Sequence, residues 1–164
     1  MIRPIKQVVS SILAPFPDVV SATVGTFKGA KQTEEKKLSL KSPLRYSGGK
    51  TRGVKEIIRY FPPDLERICS PFLGGGSIEI ELANNGVQVF GYDIFEPVTD
   101  FWQVLLKDPK ALVELVRKYY PLTSSKFYSL QLDFGKIRSK KERAAVFFAL
   151  NRASFSGATL SGGM

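Results

Sequence analysis

Two short apolar runs and a series of helical patterns divide the chain into predicted elements. The apolar runs at 67–70 and 87–92 predict two strands. Apolar residues that recur every three or four positions predict helices at 50–61, 77–83, 97–106, 109–119, 123–134 and 140–151. Two parallel strands cannot form a stable sheet with both faces covered. The pattern therefore predicts an α/β protein whose sheet is incomplete.

The first 41 residues differ in composition from the rest. A short amphipathic helix is predicted at 5–13, and Pro15 and Pro17 end it. The following stretch is rich in Ser, Thr, Gly and Lys, which predicts a linker or mobile arm. A disordered extension is favoured over a basic arm that lies along DNA. We expect the ordered domain to begin near Ser42.

The bulk composition is that of a single soluble domain. The chain has 164 residues, of which 43% are hydrophobic and 24% charged. No signal peptide is predicted, and no apolar run approaches the roughly 18 residues of a membrane span, so we expect no membrane partner. The single Cys69 excludes an internal disulfide and suits a reducing compartment, which predicts a cytoplasmic protein. We interpret Cys69 as a small core residue of the first strand.

Charge and histidine content narrow the function classes. The chain has 24 basic and 15 acidic residues, a net charge of +9, which favours a polyanionic partner, most often nucleic acid. Charge alone is equally compatible with a merely soluble basic protein. There is no histidine, and with one cysteine this excludes zinc sites and Cys-His nucleophiles. No metal site is predicted.

A glycine-rich turn follows the first strand. Gly74, Gly75 and Gly76 precede Ser77, where a helix is predicted to begin. Glycines let a backbone turn sharply and approach a ligand closely, and free N–H groups at a helix start favour a polar or anionic ligand group. Asp93 lies 19 residues after Gly74, at the end of the second strand. This is the ribose-binding arrangement of nucleoside-cofactor folds.

The glycine patterns disfavour cofactors that bind through phosphates. The dinucleotide pattern G-x-G-x-x-G would have Glu79 at its last position, where a carboxylate is a poor neighbour for a pyrophosphate. A P-loop ending at Lys50 would need glycine where Leu44 stands. S-adenosylmethionine has a ribose and no phosphate, and is the interpretation that remains. A nucleotide-binding enzyme of another class, such as a dehydrogenase or kinase, is the alternative that the missing glycines disfavour.

Four motifs carry a resemblance to a known family. They are, in chain order, Leu44-Arg45-Tyr46-Ser47-Gly48-Gly49-Lys50, Ser70-Pro71-Phe72-Leu73-Gly74-Gly75-Gly76-Ser77, Tyr92-Asp93-Ile94-Phe95 and Leu150-Asn151-Arg152-Ala153-Ser154-Phe155-Ser156-Gly157. The ordered set resembles the N-terminal half of the Dam-like class of DNA-adenine methyltransferases, over residues 42–164. The resemblance implies an incomplete Rossmann-like S-adenosylmethionine methyltransferase fold with a following helical segment. It divides the chain into an extension at 1–41, a cofactor-binding half at 42–107, and a helical segment with the start of the DNA-recognition region at 108–164.

The resemblance also implies a set of cofactor-binding residues. Lys50 would lie near the carboxylate of S-adenosylmethionine, and Asp93 would bind its ribose hydroxyls. The full set comprises a first glycine segment, a turn around the methionine portion, and a strand end beside ribose and adenine: Tyr46, Gly48, Gly49, Lys50, Pro71, Phe72, Gly74, Gly75, Gly76, Asp93, Ile94 and Phe95.

Double-stranded DNA is the partner that the resemblance implies. Asn151, Arg152, Phe155 and Ser156 match the start of the family's DNA-contacting loop. Phe155 matches an aromatic wedge that enters the duplex as the target base flips. Flipping is physically required, because the exocyclic amine of a paired adenine cannot be reached within the stack.

Two departures from the family pattern shape the expectations. Ser70 stands where the family usually has an acid that would meet the cofactor's ammonium group. The catalytic Asp-Pro-Pro-Tyr motif is absent, since the one Asp-Pro pair is Asp108-Pro109. We therefore expect no catalytic residue in this chain, no methylation by it alone, and a separate C-terminal catalytic half or self-association. A non-catalytic DNA- or cofactor-binding remnant of such an enzyme is the alternative.

Overall fold

The computed structural model describes residues 41–164 as a mixed α/β fold. The helix and linker predicted within residues 1–40 lie outside the described residues. The described elements are, in order, α1 (Val54–Ile58), β1 (Arg67–Ser70), α2 (Ser77–Asn84), β2 (Gln88–Gly91), α3 (Glu96–Lys107), α4 (Pro109–Arg117), α5 (Ser124–Asp133) and α6 (Lys140–Ala153). Short 3-10 turns follow at Phe134–Lys136 and Phe155–Gly157. Every predicted strand and helix from residue 50 onward is present, although α1 is much shorter than the 50–61 expected.

The two strands form a small parallel sheet. Arg67 pairs with Gln88 and Ser70 with Gly91, and α2 makes the connection while packing against β2 and α1. Cys69 is opposite Phe90 in this register, and both side chains are exposed. The expectation that Cys69 is a core residue is therefore wrong. An apolar strand pattern does not show which face of a sheet is covered. No described element covers the face that carries Cys69 and Phe90.

The hydrophobic core lies among the helices. Helix α6 is buried on most of its circumference, from Ala144 to Phe148 and again at Leu150 and Asn151, and it contacts α3, α4 and α5. A helix covered on nearly all sides is the central element of its fold. The rings of Phe101 in α3 and Phe148 in α6 stack at 5.3 Å, and each is about 1% exposed or less. Burying a side chain of this size stabilises the fold by about 1.5–3 kcal/mol.

Polar side chains fix where three of these helices begin. Asp108 accepts a hydrogen bond from the Ala111 N–H at the start of α4, and Thr123 and Ser139 cap α5 and α6 in the same way. Such caps satisfy backbone N–H groups that have no partner within the helix. The three helices begin within one residue of the starts that the apolar spacing predicts.

A buried ion pair joins α3 to α6. Asp100 is 2% exposed, and Arg143 Nε donates to its Oδ2 at 2.8 Å. Lys140 Nζ lies 3.4 Å from Asp100 Oδ1. One hydrophobic core cluster includes residues on both sides of position 107. The functional division of the chain into 42–107 and 108–164 stays a prediction. Within 41–164, no helix has the length and apolar character needed to cross a membrane.

Candidate functional site

The turn after β1 is shaped around the ring of Tyr46. Gly74 has φ +48°, in the left-handed region that favours glycine, and a Cβ placed on it would lie 2.8 Å from Tyr46 Cε1. Glycine at this position therefore lets the aromatic ring lie directly on the turn. Gly76, also at positive φ, leads into α2.

Asp93 fastens this turn to the end of β2. Its Oδ2 accepts the Gly74 N–H at 2.7 Å, and its Oδ1 accepts the Phe95 N–H at 2.9 Å. A carboxylate has about four acceptor positions, so Asp93 keeps capacity for hydroxyl donors. Burial, and secondarily the charge of Asp93, raise the pKa of Tyr46, which keeps this phenol protonated beside the turn.

Trp102 holds the turn through a buried hydrogen bond, a role that sequence reasoning missed. Its indole Nε1 in α3 donates to the Gly74 carbonyl at 2.9 Å, in a buried position. The sequence contains an indication of this role. The chain's single tryptophan lies on an apolar helix face, where a buried indole N–H needs a hydrogen-bond acceptor.

A cleft of about 210 Å³ opens between the two glycine segments. Lys50 Nζ donates to the Gly48 carbonyl at 2.6 Å on one side of it. Glu79 lies in the first turn of α2, and its Oε1 accepts the Ser70 hydroxyl at 2.6 Å. Sequence reasoning weighed Glu79 only as an obstacle to a pyrophosphate. The structure places its carboxylate beside Ser70, the position at which the family pattern leads one to expect an acid.

Most of the predicted cofactor residues come together at this cleft. Those that line it are Tyr46, Gly48, Gly49, Lys50, Phe72, Gly74, Gly75 and Gly76. Pro71, Asp93, Ile94 and Phe95 do not line it, and the last three lie at the adjoining end of β2. Ile94 is 98% exposed and Phe95 39%. Their apolar surfaces are accessible, as contact with a planar ligand group would require.

Asn151 is buried, which corrects the expectation that it contacts DNA. Its side chain is 0% exposed. Its Oδ1 accepts the Arg45 N–H at 2.9 Å, and its Nδ2 donates to the Arg45 carbonyl and to Thr159 Oγ1. With these hydrogen bonds made inside the protein, Asn151 holds the loop that follows α6 against the segment that leads into the first glycine pair.

The loop beyond α6 exposes an aromatic ring on an ordered support. Phe155 is 79% exposed, and Ser156, with φ 51°, is exposed beside it. Beneath them the buried Thr159 N–H donates to Ser154 Oγ, and the Phe155 N–H donates to the Gly163 carbonyl. The backbone is therefore held while the ring is free to contact another molecule.

Arg152, near the end of α6, is partly buried. It lines a pocket of about 280 Å³ with Arg45. Burial and the neighbouring Arg45 lower the pKa of Arg152, and its Nε has no hydrogen-bond partner within residues 41–164. A partly buried guanidinium that lies beside a second arginine and has no partner for its Nε among the described residues favours an anionic neighbour such as a phosphate.

Comparison with known proteins gives consistent matches. Residues 46–163 match the family model of D12 class N6 adenine-specific DNA methyltransferases. The chain is 27% identical over 151 residues to the DNA N-6-adenine-methyltransferase of Escherichia phage P1, covering 87% of this chain and 20% of that protein. It is 26% identical over 130 residues to the Type II methyltransferase M1.LlaDCHI of Lactococcus lactis subsp. cremoris, covering 76% and 45%. It is 24% identical over 131 residues to the DNA adenine methylase of Haemophilus influenzae, covering 77% and 45%. The chain thus spans between a fifth and less than half of the length of these relatives.

Proposed function

Because the chain belongs to the D12 class N6 adenine-specific DNA methyltransferase family, we propose that residues 42–164 carry the cofactor-binding part and the start of the DNA-binding region of such an enzyme. The enzyme would transfer a methyl group from S-adenosylmethionine to the exocyclic amine of adenine in DNA. The observation that carries the proposal is the hydrogen bond between Asp93 and the Gly74 N–H, 19 residues apart. It places a hydroxyl acceptor beside a backbone turn that a ligand can approach closely.

The described residues would act by binding and positioning. S-adenosylmethionine supplies an electrophilic methyl group when it is bound. The cleft beside Tyr46 and Lys50 would hold its amino-acid end, Asp93 its ribose, and Ile94 and Phe95 its adenine. The net charge of +9 attracts the phosphate backbone. Phe155 would fill the space that the flipped adenine leaves in the duplex.

The fold that we propose is Rossmann-like, with only part of its sheet in this chain. Phe90 is 45% exposed and Tyr92 59%, both at β2, and Cys69 in β1 is exposed beside them. A two-stranded parallel sheet with exposed apolar side chains favours further strands at its edges and further helices over the exposed face. A further portion of the protein that carries an Asp-Pro-Pro-Tyr motif would supply both this cover and the group that holds the target amine. Methyl transfer needs that alignment.

Cofactor binding can be tested with the Asp93→Asn variant. We expect the purified chain to bind S-adenosylhomocysteine in isothermal titration calorimetry, and Asp93→Asn to weaken binding at least about tenfold, because hydrogen bonds to a charged acceptor contribute about 1.5–3 kcal/mol. The matched control is Asp64→Asn, an exposed acid outside the site, which should bind like wild type. Absence of binding by the wild-type chain, or equal binding by Asp93→Asn, would contradict the assignment.

A second candidate is a non-catalytic DNA- or cofactor-binding protein derived from such an enzyme. The cleft that contains Lys50 and the exposed ring of Phe155 would be sufficient for binding without catalysis. Methyl incorporation into DNA should be measured with the chain alone and after addition of the C-terminal half of a relative that carries the motif. Activity only in the mixture supports an enzyme whose catalytic motif lies in a separate C-terminal portion. DNA binding without activity in either case supports the non-catalytic one.

A further inference from the structure

Two opposite charges face the cleft between the glycine segments. Of the thirteen residues that line it, only Lys50 and Glu79 carry a charged side chain. They come from different parts of the chain, since Lys50 precedes α1 and Glu79 lies in α2. The rest of the lining is glycine backbone, two hydroxyl groups, Tyr46 and apolar side chains.

Neither charge is neutralised by an ion pair within residues 41–164. The ion pairs there involve other side chains. Lys50 Nζ is held by the neutral Gly48 carbonyl, and Glu79 Oε1 by the neutral Ser70 hydroxyl. An ammonium group has three donors and a carboxylate about four acceptor positions. Both groups are therefore oriented, and both keep capacity for a ligand.

A zwitterion of α-amino-acid type matches this pair of charges. Its carboxylate complements the Lys50 ammonium, and its ammonium complements the Glu79 carboxylate. Charge-assisted hydrogen bonds of this kind are roughly twice as strong as neutral ones. A pyrophosphate would meet repulsion at Glu79, so the same carboxylate selects against the phosphate cofactors that a glycine turn often accepts.

We propose that Glu79 accepts hydrogen bonds from the α-ammonium group of the cofactor's methionine end, and that Ser70 is the positioning residue that holds the Glu79 carboxylate. The proposal rests on the proposed function, because S-adenosylmethionine ends in an α-amino acid. Ser70 and Glu79 act as a unit: the strand end supplies the hydroxyl group, and the first turn of α2 supplies the charge.

The opposing explanation is that Glu79 serves only its own helix. An acid in the first turn stabilises a helix through the partial positive charge at that end. That role would affect folding and every ligand alike, whereas ammonium recognition affects only ligands that carry the ammonium group. The two explanations are separated by comparing ligands on one variant.

The experiment measures two ligands on matched variants by isothermal titration calorimetry. The ligands are S-adenosylhomocysteine and 5′-methylthioadenosine, which keeps the adenosine and the thioether but lacks the amino acid. Glu79→Gln should weaken S-adenosylhomocysteine about 10- to 100-fold and leave 5′-methylthioadenosine within about twofold. Ser70→Ala should give a smaller loss with the same selectivity. Glu81→Gln, on the same helix but outside this cleft, should bind both ligands like wild type.

Each outcome is decisive for one of the two proposals. Equal weakening of both ligands by Glu79→Gln, or no weakening of either, would overturn ammonium recognition by Glu79. In both cases the wild-type chain still binds S-adenosylhomocysteine, so the proposed function stands. Binding of neither ligand by wild type would overturn the proposed cofactor itself, and this inference with it.

Discussion

The side-chain amide of Asn151 pairs with the backbone of Arg45 across 106 positions of sequence. Its Oδ1 accepts the Arg45 N–H at 2.9 Å and its Nδ2 donates to the Arg45 carbonyl at 2.7 Å. One amide thereby satisfies both polar groups of a backbone unit that belongs to no helix or strand. The side chain of Asn151 therefore joins the end of α6 to the segment that leads into the Gly48–Gly49 pair.

Replacing Asn151 should destabilise the fold. Asn151→Ala leaves the Arg45 N–H and carbonyl without these partners, and we expect a loss of about 1–3 kcal/mol in the free energy of unfolding. Urea denaturation followed by circular dichroism measures it. The control is Asn84→Ala at the end of α2, which should change stability by less than about 1 kcal/mol. A loss no larger than that of the control would show that water replaces the Asn151 amide freely.

Asp100 should be more important for stability than the exposed acids. Asp100→Ala leaves Arg143 and Lys140 facing an empty buried site, and we expect a loss of about 2–4 kcal/mol, toward the lower end of the range for buried pairs because Arg143 still reaches Glu96. Asp133→Ala breaks an exposed pair with Lys136 and should cost at most about 1 kcal/mol. Thermal denaturation of both variants tests the ranking. Similar losses would mean that burial of Asp100 adds nothing to its pairing.

The carboxylate of Asp108 should make the free energy of unfolding depend on pH, and the structure gives the sign of this dependence. The hydrogen bond from Lys141, followed by that from the Ala111 N–H, lowers the pKa of Asp108. A folded pKa below the unfolded value of about 3.9 means stabilisation that is present above that pH and lost as the pH falls through the folded pKa. Asp108→Asn keeps a capping side chain but loses the charge. Wild type should therefore be the more stable at pH 6, and the difference should narrow below about pH 4.

This stability difference is measured from the midpoints of urea unfolding of wild type and Asp108→Asn at several pH values. The same comparison is repeated in a chain that carries Lys141→Met. In that background Asp108→Asn should have a smaller effect at pH 6, because the principal partner of the carboxylate is already absent. A difference that stays constant down to low pH would show that the charge of Asp108 contributes nothing.

Local features of this fold were predictable from sequence because their causes are local. The apolar run 67–70 is bounded by charged residues and Pro71 and matches β1, and the cap residues Asp108 and Ser139 fix helix starts within one turn. The proximity of Asp93 to Gly74 was also predictable from their spacing, because the carboxyl ends of adjacent parallel strands lie together.

Features that depend on distant partners were not predictable in the same way. Asn151 was interpreted as a DNA contact because it matches the start of the family's DNA-contacting loop, but its hydrogen-bond partner Arg45 lies 106 residues away in the sequence. The pairing of Glu79 with Ser70 depends on how α2 returns over β1. The exposure of Cys69 depends on which elements cover the sheet, and an apolar strand pattern does not specify them.

Phe155 should contribute to DNA binding and little to folding. Because its ring is 79% exposed, Phe155→Ala should change the free energy of unfolding by less than about 0.5 kcal/mol. Loss of base stacking should weaken binding of duplex DNA by about 5- to 100-fold, corresponding to about 1–3 kcal/mol. Fluorescence anisotropy with a labelled duplex measures the affinity. Leu132→Ala, another exposed apolar side chain at 83%, is the control, and equal effects of the two variants on binding would argue against a specific wedge.

The reaction rate of the Cys69 thiol should show whether another chain covers its face of the sheet in solution. It is the chain's single cysteine, it lies opposite Phe90 in the sheet register, and it is exposed. Its thiol in the folded chain should therefore react with Ellman's reagent at a rate within about tenfold of the urea-unfolded chain, since thiol reactivity follows access and pKa. Cys69→Ser gives the zero-rate control. If a C-terminal half completes the sheet, adding it should slow the reaction strongly. Slow reaction of the chain alone that quickens on dilution would instead identify a second copy as the cover. Slow reaction that is independent of concentration would contradict the open sheet.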